Sequence, residues 1–375
     1  MKKTKRTQIA LFTGIIAIAA IIGFSFAACD DDGNTTAGGV DDLLTAGLYD
    51  KAPPILKDDI PMANIEANDI AAAIYHVKRN SGTYTLLINK DVELEPQVIA
   101  RSNLTIIGIG RERKINLSKN GNMFLLQANS SNGVYLTIGK NITLVGRSTS
   151  GNGNENNNDC VITINGSDSF FTMLDSSKIT GNTWQVDPAS TSYLSSAVYI
   201  LNGGAFTLKG GTITGNAISG ATSSQVTAGG LYVGGSSSSA FLEGGSITGN
   251  TGGLGDVLIN PAAGSFILGK TAVVGNIAIN AVSTASFAIT IAQGWTGNVG
   301  KLHLRGNNTT MATVVGYWEG KTVLKAENGV LSSASIAKLN PGNFINSSTS
   351  FNTAPINETH KIESSGDNIG KLVKK

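Results

Sequence analysis

An all-β fold, a parallel β-helix (a solenoid) closed by an N-terminal helix, is predicted by three features of this sequence. The first is a repeat. Gly210-Gly211-Thr212-Ile213-Thr214-Gly215-Asn216 returns as Gly244-Gly245-Ser246-Ile247-Thr248-Gly249-Asn250 and, more weakly, as Ser176-Ser177-Lys178-Ile179-Thr180-Gly181-Asn182, so Asn182, Asn216 and Asn250 stand 34 positions apart. A fourth copy, Lys270-Thr271-Ala272-Val273-Val274-Gly275-Asn276, follows after 26. A fixed period in this range marks stacked supersecondary units. The second feature is alternation. Phe206, Leu208 and Ile213 in one copy match Ala240, Leu242 and Ile247 in the next, and Phe266, Leu268 and Val273 in the fourth. Period two is the pattern of a half-buried strand. The third is what separates the strands: Gly-rich corners, with no helical pattern of ten or more residues. Parallel strands normally need a long crossover. A chain that climbs one strand spacing per repeat meets that need without helices.

The columns of the repeat carry specific expectations. Asn182, Asn216, Asn250 and Asn276 should stack as an amide ladder at one corner. The Gly before each Asn suits a corner needing positive φ. Ile179, Ile213, Ile247 and Val273 should form one interior aliphatic ladder, and Leu174, Leu208, Leu242 and Leu268 another. Asp175, Lys209 and Glu243, also 34 apart, fall on the outer face. Exposed pairs of this kind contribute little, and a solvated face is the expected reading.

In chain order, residues 1–28 read as a targeting segment. Lys2, Lys3, Lys5 and Arg6 form a charged start, Ile9 to Phe26 an apolar run, and Phe26-Ala27-Ala28 the small residues before Cys29. A membrane-spanning helix is the competing reading of such a run. Without the segment the chain carries 24 basic residues (28 less these four) against 26 acidic, a net charge of −2. No nucleic-acid partner is expected from that balance. Cys29 is the expected lipidation site. Cys160 is then the one remaining thiol, so no internal disulfide is expected. Cys160 opens the run Cys160-Val161-Ile162-Thr163-Ile164 and reads as a buried structural thiol.

Residues 29–60 read as a flexible tether, polar and containing Pro53-Pro54. Residues 61–82 hold the one convincing helix. Asn64 or Asn68 is expected to cap it, with Ile70, Ile74 and Val77 on one apolar face. A solenoid needs its open end covered, and this helix suits that place. Residues 83–290 are assigned to the β-helix, beginning with strands near Tyr84–Ile88, Leu104–Ile107, Phe124–Leu126 and Tyr135–Ile138. Polar loops at 148–159, 182–196 and 217–228 read as insertions on one face. Residues 291–375 read as final coils and a C-terminal cap.

Together with the repeats, the phrase Asn103-Leu104-Thr105-Ile106-Ile107-Gly108-Ile109-Gly110 and the small residues before Cys29 resemble the repeat-bearing β-helix lipoproteins of spirochaetes. They are also similar to pectin-lyase-like and autotransporter passenger domains. The segment before Cys29 resembles a bacterial lipobox, with Phe26 where Leu is usual. The resemblance implies a right-handed β-helix, a lipid on Cys29 and an envelope location, with the outer membrane or cell surface favoured over the inner membrane.

Chemistry is less legible. Gly264-Ser265-Phe266-Ile267-Leu268-Gly269-Lys270-Thr271 fits the phosphate-loop spelling, but that loop needs a strand before it and a helix after it. Here Phe266 and Leu268 are interior repeat residues. Gly252-Gly253-Leu254-Gly255-Asp256 lacks the spacing and the consecutive copies of a calcium nonapeptide. Glycoside hydrolysis needs two opposed carboxylates, yet residues 176–300 contain only Asp187, Glu243 and Asp256. His76, His303 and His360 are far apart in the chain, and Trp184, Trp295, Trp318 and Tyr193 are scattered. No catalytic residue, metal ligand or cofactor site is therefore assigned. The expected function is non-enzymatic surface display or adhesion. The partners would be a membrane, through Cys29, and a host or environmental glycan or protein. A polysaccharide lyase or glycoside hydrolase, and a structural envelope spacer, are the alternatives.

Overall fold

A computed structural model describes residues 69–303, apart from 129–132, 190–193, 223–224, 261–262 and 282–286. Outside that range it describes residue 57 and the backbone of individual strands from Ile55–Lys57 to Ile369–Lys374. The protein is all-β, built from parallel strands. Residues 1–54, including Cys29 and the segment before it, lie outside the described residues, as do Asn64 and Asn68.

Helix α1 spans Ile70–Arg79. Its N-cap is Asp69, not either asparagine: the carboxylate accepts from the Ala72 backbone N–H at 2.8 Å. An Asp at this position satisfies one of the orphan donors of the first turn. Ile70, Ala73, Ile74 and Val77 are buried, at the spacing of one helical face. They join the same apolar cluster as Tyr84, Leu86, Leu94 and Ile99 of the first strands. Ser102 Oγ lies 2.8 Å from both Val77 O and Asn80 O and ties the end of the helix to the next strand.

From Thr83 onward the chain visits three strand columns in fixed order. The first column runs Thr83–Ile88, Asn103–Gly108, Val134–Ile138, Ser169–Met173, Ala205–Leu208, Ser239–Leu242 and Ser265–Leu268. The second runs Val92–Leu94, Arg113–Leu117, Ile142–Val145, Lys178–Thr180, Thr212–Ile213 and Ser246–Ile247. The third runs Gln97–Ile99, Phe124–Gln127, Ile162–Asn165, Val198–Leu201, Leu231–Val233 and Val257–Ile259. Neighbours within each column pair in parallel. One passage through the three columns is a tier.

The inward residues of successive tiers are in register. Ile106, Ile138, Met173, Leu208, Leu242 and Leu268 form one buried row. Leu144, Ile179, Ile213 and Ile247 form a second. Phe171 and Phe206 stack inside with centroids 5.4 Å apart. Two expected members are displaced by one residue. Met173, not Leu174, pairs with Leu208, and Val274, not Val273, pairs with Ile247. Met173 and Val274 are buried, whereas Leu174 and Val273 are partly exposed. Because strand side chains alternate, a slip of one residue reverses which side chain enters the core.

The tiers shorten along the chain because one corner shrinks. The segment between the second and third columns occupies 183–197, then 217–230, then 251–256. In the next tier it vanishes, and Val273–Ala281 is one strand that pairs with both Ser246–Ile247 and Val257–Ile259. Parallel pairing then continues through Asn298–Gly306 and Val323–Glu327 to Asn343–Ile345. His360–Ser364 and Ile369–Lys374 end the chain as an antiparallel pair. These later tiers lack the Gly-Gly corners, which is why the sequence period fades while the strands persist. Ile55–Lys57, within the expected tether 29–60, pairs antiparallel with Thr83–Ile88.

Candidate functional site

The corner after the second column holds a buried polar spine. Gly181, Gly215 and Gly249 take φ of 73°, 68° and 70°, the left-handed region where a Cβ is penalised. The Asn after each turns inward and is buried. Asn182 Oδ1 accepts from the Arg147 N–H at 3.1 Å, and Asn216 Oδ1 from the Asn182 N–H at 3.2 Å. Asn250 Oδ1 accepts from the Asn216 N–H at 3.2 Å and from Asn216 Nδ2 at 2.9 Å. Asn276 does not join the ladder as a fourth amide. Asp256 takes that place: Oδ1 accepts from Asn250 N–H and Nδ2 at 2.8 and 3.0 Å, and Oδ2 from the Asn276 N–H at 3.0 Å. Sequence spacing misses Asp256 because it enters from the shortened corner, six residues after Asn250 and not 34. Burial holds its carboxyl above the usual carboxylate range, and the Asn250 and Asn276 hydrogen bonds work against that rise.

The three polar segments beside this spine are layered on one another. Thr183–Gln185 pairs in parallel with Ala217–Ser219, and Leu194–Ser195 with Thr227–Ala228. Single bridges extend the layer from Asn157 to Trp184 and from Ala217 to Thr251. Gln185 Oε1 accepts from Ser219 Oγ at 2.6 Å and from Asn156 Nδ2 at 3.4 Å. Gln225 is buried and donates to the Asp187 carbonyl at 3.0 Å. The ends of 217–228 thus belong to the stacked structure, and its exposed part lies around Gly220–Thr222. Under this layer, Tyr199 and Tyr232 stack with centroids 5.0 Å apart, beside Leu258 and Ala228.

The titratable groups are dispersed. Asp159 accepts from its neighbour's Cys160 N–H at 2.8 Å, and burial raises its pKa. Cys160 is fully buried, with Sγ 3.0 Å from Thr163 Oγ1, and burial pushes the thiol well up. A thiol held protonated is a poor nucleophile and metal ligand. Lys209 and Glu243 are not paired: Glu243 bonds Lys270 at 2.6 Å. Lys270, of the phosphate-loop spelling, sits in a turn after the strand Ser265–Leu268, and the strand Val273–Ala281 follows, not a helix. Trp295 is buried and donates to the Ala272 carbonyl, while Trp184 lies half-buried in the loop layer. His76 packs edge-on against Tyr84, and His303 is buried on the third column. Among the described residues no group of three or more His, Cys, Asp or Glu is placed to hold a metal ion, and no helix is long and apolar enough to cross a membrane. Trp318 and Tyr193 lie outside the described residues, and so does the side chain of His360.

No protein-family model, curated protein or solved structure matches this chain.

Proposed function

We propose that this chain is a lipid-anchored envelope protein of a bacterium whose body is a right-handed parallel β-helix, and that it acts by non-enzymatic display of a ligand-binding surface. The observation that carries the reading is the in-register stacking of tiers around an apolar interior, with polar segments of varying length layered at one corner. Such a scaffold puts its stability in neighbour-to-neighbour contacts and leaves outward residues free to vary. Recognition is commonly placed on segments that a rigid scaffold positions. Two carboxylates of the repeats have structural partners: Asp256 ends the amide spine and Glu243 pairs with Lys270.

The membrane attachment rests on the sequence before Cys29. Two or three acyl chains hold a protein firmly where one does not. Mass spectrometry of the mature protein should find an acylated Cys29 at the N-terminus, and protease treatment of intact cells should cleave within 217–228. An uncleaved Met1 segment, or full protection on intact cells, overturns the reading. So does turnover of a glycan that one carboxylate substitution abolishes.

A further inference from the structure

Charge is distributed unevenly along the chain. Residues 69–127, the helix and the first tiers, carry eight basic and five acidic side chains, a net of +3. Residues 128–303 carry six and seven, a net of −1. Four of the cations gather around the C-terminal end of helix α1. Lys78 and Arg79 are its last two residues. Lys57 arrives from the strand Ile55–Lys57: a methyl added at Gly82, three residues past the helix, would lie 3.2 Å from Lys57 Cε. Arg101 is exposed and precedes Ser102, whose Oγ lies 2.8 Å from the Val77 and Asn80 carbonyls. A helix C-terminus attracts cations through its dipole, which accounts for Lys78 and Arg79. Lys57 and Arg101 come from two other segments of the chain.

None of the four is in an ion pair among the described residues. Lys78 Nζ donates to Gln97 Oε1 at 3.3 Å, and the Arg79 guanidinium lies 4.4 Å from the centre of the Tyr75 ring. Four of the five acidic groups of these tiers have other partners. Asp69 caps the opposite end of the helix, and Glu95 pairs with Lys119 at 2.6 Å. Asp91 accepts from the Lys114 N–H at 3.0 Å, and Glu112 from Thr143 Oγ1 at 2.6 Å. Glu93, exposed on the first strand of the second column, is the fifth.

The same end holds both large apolar side chains that stand exposed among the described residues, Tyr75 at 56% and Val98 at 43%. Ala71, Tyr75 and Arg79, four residues apart each time, line one exposed ridge of the helix. Val98 is the outward residue beside Gln97, and Leu125 continues its row in the next tier. Cations around exposed aromatic and aliphatic groups match a surface that is anionic at its headgroups and apolar beneath them. Lys and Arg are drawn to anionic headgroups, and Tyr settles at the interface. A soluble anion would use the charges and leave Tyr75 and Val98 in water. The chain leading from Cys29 joins the body at Ile55–Lys57, within this cluster. We infer that the helix-capped end rests on an anionic lipid surface, with Lys57, Lys78, Arg79 and Arg101 on headgroup phosphates and Tyr75 in the interface. The inference rests on the anchored-envelope reading above and gives the body its orientation on the membrane.

The test adds the full-length protein to vesicles of phosphatidylcholine, alone or mixed with equal parts of phosphatidylglycerol. Both kinds hold a headgroup spin-labelled phosphatidylcholine as quencher. Tyr75→Trp supplies the reporter, and the parent's emission is subtracted. Emission from position 75 should be quenched on the mixed vesicles and far less on phosphatidylcholine alone. Raising NaCl from about 0.1 M to about 1 M shortens the Debye length from about 10 Å to about 3 Å and should relieve the quenching. In the reporter background, Lys57→Glu combined with Arg101→Glu reverses two charges outside the helix. This pair should melt as the reporter parent does and weaken the contact about tenfold. Lys78→Gln combined with Arg79→Gln is the second pair and should weaken it as well. Equal quenching on the two kinds of vesicle, no quenching on either, or an unchanged contact in both pairs overturns the inference. Retardation of the protein by polygalacturonate in native electrophoresis, without quenching on vesicles, makes the cluster a site for soluble polyanions and also overturns it. Mass spectrometry of Cys29 separates this result from the anchor. If Cys29 is acylated and position 75 is not quenched, the orientation falls and the anchor stands. If Cys29 is not acylated and the mixed vesicles still quench position 75, the anchor falls and the lipid contact stands.

Discussion

Asn216 gives two hydrogen bonds to one atom: its backbone N–H and its Nδ2 both donate to Asn250 Oδ1, at 3.2 and 2.9 Å. Its own Oδ1 accepts from the Asn182 N–H, so one buried side chain joins three tiers. Asn216→Ala should strand donors and acceptors on both sides and cost about 1–3 kcal/mol. Asn216→Asp should cost more, because an acceptor would then face Asn250 Oδ1 and the Ile179 carbonyl that Nδ2 now serves. Urea denaturation of the two variants checks the order. Equal midpoints would mean that the acceptor placed against Asn250 Oδ1 and the Ile179 carbonyl adds no cost beyond loss of the amide.

Ile213 is fully buried between Ile179 and Ile247. Ile213→Ala should cost about 2–5 kcal/mol, the range for a cavity left in a packed core. Lys209 faces outward with no ion pair among the described residues. Lys209→Ala should stay within about 0.5 kcal/mol of the parent. Denaturant midpoints that ranked Lys209 above Ile213 would reverse the assignment of the two faces.

Asp256 and Asp159 predict an acid-side gain in stability. Burial raises both carboxyl pKa values, so the native state holds these protons more tightly than the unfolded chain does. Their contribution is full below the ordinary carboxylate value, about 3.9, and is lost as pH rises through the native value. Asp256→Asn removes one of the two titrations. Its urea midpoint should therefore depend less steeply on pH than the parent's from about pH 4 upward. Parallel curves would show that Asp256 does not titrate in this window.

The segment 217–228 divides into a tolerant part and a structural part. Replacing 220–224 by two glycines should leave cooperative unfolding intact, since loop length carries only a small entropic term. Replacing all of 217–228 should lower stability, because the pairing partners of Thr183–Gln185 and Leu194–Ser195 go with it, and with them the buried Gln225, Thr227 and Ala228. Thermal melts compare the two. Equal melting would show that the layer does not stabilise the tiers.

What the sequence determined by itself is the repeat and most of its inward face. Asn182, Asn216 and Asn250, Ile179, Ile213 and Ile247, and Leu208 and Leu242 share a side because side-chain direction in a strand follows residue parity, a local property. The Gly–Asn corners were legible for the same reason: positive φ at Gly181, Gly215 and Gly249 is a local demand. Register is not local. Choosing Met173 over Leu174 and Val274 over Val273 depends on hydrogen bonds to strands a full tier away, and one residue of slip exchanges inside for outside. Asp256 replaced Asn276 in the spine because the shortened corner carried it back beneath Asn250, a contact no fixed spacing encodes. The rings of Tyr135 and Phe170, 35 positions apart in sequence, stack only because their tiers pair in register. A repeat fixes what each tier looks like, and the pairing between tiers decides which residues meet.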